Sequence, residues 1–148
     1  MTNEEYLPFE VAFQATARPL LEALRQKLTE QGAGPFTEID VVDKDVSRGL
    51  GFDPAGGGSP DEFTPFVELM LEDGGEHGYE GVGLVMNCSI YFSGQVWAPF
   101  NYTESVGMST PEQVVERILQ EFDPSEIAIS CLKEWESNAF RRSMERPA

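Results

Sequence analysis

Acids are the residues of this chain best equipped for chemistry. Glu68, Glu72, Asp73, Glu76, Glu80 and Glu104 crowd its middle, with Tyr91 and Trp97 among them. Carboxylates at this density can attract metal ions or a basic protein surface, and a suitably placed pair can serve as acid and base in hydrolysis. Glycosidase-type catalysis needs two carboxyls converging on one bond. No pair here is set apart from the rest by its surroundings, so the acids read as a surface and no catalytic residue is assigned. Tyr91, Trp97, Phe100 and Tyr102, with Asn101 among them, form an aromatic cluster. Its outward-facing members would anchor an interface beside acidic neighbours.

The remaining motifs are weighed by what their chemistry requires. The glycines of GLGFDPAGGGSPDEF could cradle a phosphate. A phosphate loop aligned on Gly51 and Gly56 has Gly57 at the lysine position and Gly58 at the hydroxyl position, so the charge that meets the phosphates is missing. Asp53, Asp61 and Glu62 would repel the anion, and a strand follows where a helix N-terminus is needed. The run from Gly81 fails the dinucleotide fingerprint, with Met86 at the third glycine. His77 is the only histidine, and the acids around it lack the alternate spacing of a calcium loop. Cys88 and Cys131 lie on apolar faces of a strand and a helix and read as small core residues, not nucleophiles. No cofactor or metal is expected.

Charge sets the class of partner. Lys and Arg number 10 against 26 acids, a net charge of -16. The 68 positions between Arg48 and Arg117 contain no Lys or Arg and eleven acids. Nucleic-acid binding is disfavoured, because phosphate contacts need basic side chains. A basic protein is the partner that such a surface captures fastest. No apolar run approaches the length of a membrane span. The acidic start MTNEEYLPFE is unlike a signal or transit peptide, and two cysteines are too few for a disulfide framework. The expected location is the cytoplasm.

These residues must be positioned by a scaffold, and its elements are legible in the pattern. Phe9, Phe13, Ala17, Leu20, Leu21, Leu24 and Leu28 recur at steps of three or four, predicting one helix from about Pro8 to Gln31 that continues, kinked, through Pro19. Phe36–Val42, the run VSRGLGF and the run FTPFVELMLED read as strands, with DKD as a turn and residues 52–62 as a flexible glycine-rich loop. Val82, Leu84, Met86, Cys88, Ile90 and Phe92 alternate strictly, marking a long strand that turns at Ser93-Gly94 into QVWAPFNY. That hairpin is expected to be the spine of the sheet. Thr110, Pro111 and Gln113 announce a helix, and Asp123-Pro124-Ser125-Glu126 announces another. The whole chain, residues 1–148, is predicted to be a single α+β domain: an N-terminal helix, an antiparallel sheet of about five strands, and two C-terminal helices on one face.

Without a catalytic constellation, the expected function is binding. The leading reading is an inhibitor or immunity-type protein for a basic partner, using Glu68, Glu72, Asp73, Glu76, Glu80 and Glu104 with Tyr91 and Trp97 as anchors. A dimeric secretion-type chaperone or adaptor is the alternative, which leaves a homodimer open. A small enzyme or ligand-binding domain with a pocket between sheet and helices is the third.

Overall fold

A computed structural model describes residues 3–44, 47–57, 64–74, 83–92, 95–105 and 109–145. Helix α1 spans Asn3–Glu30 and runs without interruption through Pro8 and Pro19, starting five residues earlier than the apolar stripe suggested. Both prolines are exposed, so the amide bonds they cannot make lie on the solvent side. Glu4 and Glu5 in the first turn and Lys27 in the last complement the helix dipole. The helix ends in a Schellman arrangement. Gly32 takes φ 95°, Ala33 N–H donates to Leu28 O at 3.0 Å, and Gly32 N–H donates to Thr29 O at 3.0 Å.

The next segment corrects the sequence expectation. The ladder of β1 covers only Asp40–Asp43, and Phe36 makes an isolated bridge to Pro54. Helix α1 explains the difference. Arg25 donates to the carbonyls of Thr37 (2.9 Å) and Phe36 (3.3 Å), and Arg18 donates to that of Ile39 (3.1 Å). The segment is thereby held along the helix, with Phe36 and Ile39 buried.

Strands β2 (Ser47–Phe52), β3 (Phe66–Asp73), β4 (Leu84–Phe92) and β5 (Gln95–Glu104) complete an antiparallel sheet in the order β1-β2-β3-β4-β5. The centre is therefore β3, and the expected spine is displaced: β5 is an edge. It also carries a bulge, because Cys88 pairs with Phe100 and Ile90 with Trp97, leaving Ser89 opposite both Ala98 and Pro99. An edge strand at a bulge tolerates a proline, which has no N–H to give a ladder. Of the glycine-rich loop expected over 52–62, the described part is Phe52, which closes β2, and Asp53–Gly57. Thr37 N–H donates to Asp53 O and Ala55 N–H to Pro35 O, each at 2.8 Å. Residues 58–62 fall outside the described residues, as does the Ser93-Gly94 turn.

Helix α2 spans Pro111–Leu119. Its capping box forms as read, the Thr110 hydroxyl accepting from Gln113 N–H and the Gln113 side chain accepting from Thr110 N–H. Helix α3 spans Pro124–Glu145, and the Asp123 carboxylate accepts from the N–H groups of Ser125 and Glu126. The three helices form one layer: α1 packs on α2 and α3 and crosses β2 and β3, while α2 reaches β5. Beneath them Leu50, Leu69, Leu71, Leu84, Met86, Cys88 and Ile90 are fully buried. Each large aliphatic side chain so placed contributes about 1.5–3 kcal/mol. The result is the α+β single domain that the sequence pattern predicts.

Candidate functional site

In an antiparallel pair, directly opposed residues point to the same face, so the register separates the two sides of the sheet. Leu50 opposes Leu69, Leu69 opposes Cys88, and Cys88 opposes Phe100, which defines the helix-covered side. The other side is built from the alternate rows. Phe66, Tyr91 and Val96 form one row across β3, β4 and β5. Asp40, Gly51, Glu68 and Ser89 form the next. Val42, Gly49, Met70, Asn87 and Asn101 follow, then Ser47, Glu72, Val85 and Thr103. Among the described residues no helix packs on this face. Phe66 is 43% and Val96 61% exposed at one end of it.

A contact between strands organises the face. Lys44 follows β1, and its backbone N–H donates to Ser47 O at 2.9 Å. Its side chain crosses β2, so that Nζ donates to Glu68 Oε2 on β3 at 2.7 Å. The Tyr91 hydroxyl on β4 donates to the same oxygen at 3.3 Å, and the Lys44 ammonium lies 5.9 Å from the centroid of the Tyr91 ring. Gly49 and Gly51 make the crossing feasible, since neither presents a side chain between Lys44 and Glu68. A Cβ at Gly51 would approach Val67 O to 2.6 Å, and one at Gly49 would collide with the Leu69 carbonyl. The hydrogen bond to Glu68 raises the Lys44 pKa above its ordinary value. Among the described residues of this face the acids are Asp40, Glu68 and Glu72, and the base is Lys44.

The residues singled out in the sequence are divided by this geometry. Glu68 and Tyr91 are brought together, and Glu72 shares their face two rows beyond Glu68. Asp73 has the opposite parity and is buried on the helix side, beside Tyr6. Tyr6 donates to Leu71 O at 2.9 Å, and burial, reinforced by Glu10 and Asp73, pushes its hydroxyl pKa well up. Trp97 opposes Ile90 and packs against the core, so it is not on the face that carries Tyr91. Glu104 stands on the helix side at the sheet end, paired with Arg117 at 2.8 Å. Glu76 and Glu80 lie outside the described residues, as does His77. Lys44, Phe66 and Val96 were missed. Period two in the run FTPFVELMLED puts Phe66 on the same side as Glu68 and would have found it; Lys44 is assigned only once strand order is known.

The other chemistry is core chemistry. Cys88 and Cys131 are free and buried, and burial pushes both thiols up to about 12. At neutral pH they hold their protons and are poor nucleophiles. Among the described residues no group of three His, Cys, Asp or Glu side chains could hold a metal ion, and no helix is long and apolar enough to cross a membrane. A hollow of about 590 Å³ lies between α1 and α2, lined in part by Thr16, Leu20, Glu116 and Arg117. It opens on the helical layer and is not a pocket between sheet and helices. Compared with protein-family models, curated proteins and solved structures, the chain matches none of them.

Proposed function

We propose that the protein is a binding module of the inhibitor or immunity type, capturing a basic protein partner on the face of its sheet that carries Glu68 and Tyr91. The observation that supports this reading is the row of exposed Phe66 and Val96 with partly buried Tyr91 between them, set beside Asp40 and Glu68, with Glu72 farther along the same face, which no described helix covers. An aromatic and aliphatic patch rimmed by acids combines the two requirements of fast, tight capture. The net charge of -16 steers a basic surface inward. The apolar row then supplies contact area that resists dissociation.

The test uses immobilised protein in native lysate. Wild type is expected to retain basic proteins, and the double variant Phe66→Ser/Val96→Ser to lose them. Leu7→Ser/Val11→Ser, which alters exposed apolar residues on α1 instead, is expected to retain them. Association of a retained partner should slow steeply toward about 0.5 M salt, where screening acts within a few ångströms. Retention of proteins that are not basic, or equal loss in both double variants, overturns the reading. A salt-stable homodimer by mass measurement would transfer support to the chaperone alternative.

A further inference from the structure

The Lys44 ammonium is the feature of this face that the binding reading leaves unexplained. It comes from the residue just after β1 yet sits across β2 on a carboxylate of β3 and near an aromatic ring of β4. The site it occupies offers two ways to recognise a cation. The Glu68 side chain is 20% exposed, so its charge is partly withdrawn from water and gains more from a partner cation than a fully solvated carboxylate would. Tyr91 fixes that carboxylate through its hydroxyl and offers a ring face at a distance where cation–π attraction operates, within about 6 Å. Lys44 itself is 48% exposed and reaches the site across glycines, so nothing packed against a β2 side chain holds it there.

We propose that Glu68 and Tyr91 form a recognition site for an arginine side chain of the partner, which Lys44 fills as an internal stand-in until the partner's guanidinium displaces it. This rests on the protein-binding reading above and names the contact at its centre. Arginine is favoured over lysine by geometry. Both described hydrogen bonds to Glu68 fall on Oε2, whereas a guanidinium fork can engage both carboxylate oxygens and stack on the Tyr91 ring. The exposed Phe66 and Val96 flank Tyr91 in the same row. A chain docking there covers them and dries the site, which strengthens the charged contact.

The probe is a short blocked hexa-arginine peptide, with hexa-lysine as its counterpart, titrated by calorimetry and by NMR of the tyrosine rings. Lys44→Met keeps the aliphatic stem and removes the competitor, and it is expected to tighten hexa-arginine binding about three- to fivefold. Lys27→Met, on α1, makes the same change in net charge and is expected to leave affinity nearly unchanged. In a Glu68→Gln background, Lys44→Met should have no effect, and the Tyr91 ring signals should no longer respond to the peptide. Thermal melts check that each variant is folded. A Lys44→Met gain equal to that of Lys27→Met, or one that survives Glu68→Gln, overturns the site. Binding lost in Phe66→Ser/Val96→Ser but indifferent to Lys44 and Glu68 overturns the site and leaves the binding reading standing. Failure of this face to bind any basic peptide or protein overturns both.

Discussion

Cys88 and Cys131 show what burial does to a single ionisable group. Both thiols rise from an ordinary 9.0 to about 12. A group whose folded pKa is raised keeps its proton longer when folded than when unfolded. The stability it carries is fully present below pH 9.0 and is lost as pH rises from there toward about 12. Tyr6 and Lys44, raised from 10.0 and 10.5, add losses in the same alkaline direction. The urea midpoint is therefore expected to fall between pH 9 and pH 11, less steeply in Cys88→Val, and neither thiol should react with a disulfide reagent at pH 8 until the protein unfolds. Rapid labelling of the folded protein at pH 8 would refute this. At the same scale, the sequence located Glu68 correctly because it alternates with Val67 and Leu69. Asp73 was assigned to the surface by its charge, although its parity is that of buried Leu71. Trp97 lost its parity at the bulge, where the extra residue breaks period two.

Among the elements, the pairing of β2 with β3 is the closest fit. Gly49 opposes Met70 on the face away from the helices, where Met70 is buried, and a Cβ there would collide with the carbonyl of Leu69. Gly49→Ala is expected to lower stability by about 2–3 kcal/mol, read as a shift of the urea midpoint, because a central strand cannot move aside without disturbing both neighbours. A loss below about 0.5 kcal/mol would mean that the strands separate freely, contrary to the register described. Helices were the most legible elements, since their caps are local: Thr110, Gln113 and Asp123 do what their types predict. The strand β4 was legible because Leu84, Met86, Cys88 and Ile90 are fully buried at alternate positions. The segment Phe36–Ile39 was not, because its carbonyls are claimed by Arg18 and Arg25 from a helix earlier in the chain. Local pattern does not carry such a bond. Nor does it carry strand order, which decides that β3 is central and that Lys44 can meet Glu68.

For the whole molecule, the net charge of -16 has a cost in stability as well as a use in binding. Surplus carboxylates repel one another, and dissolved salt screens that repulsion. The melting temperature is expected to rise by several degrees as sodium chloride increases from about 10 mM to about 0.5 M. A fall would show that ion pairs such as Arg117 with Glu104 and Lys44 with Glu68 outweigh the repulsion. The order of the elements has a further consequence, for synthesis. The helix α1 precedes the five-stranded meander, while α2 and α3 follow it, and all three share one layer. As the chain leaves the ribosome, each strand can zip onto its predecessor at once, since every pairing is between neighbours in sequence. The greasy side of the growing sheet then waits, with only α1 to shield it, until the last two helices emerge. A pause in translation after β5 is the moment of greatest exposure to chaperones and to aggregation.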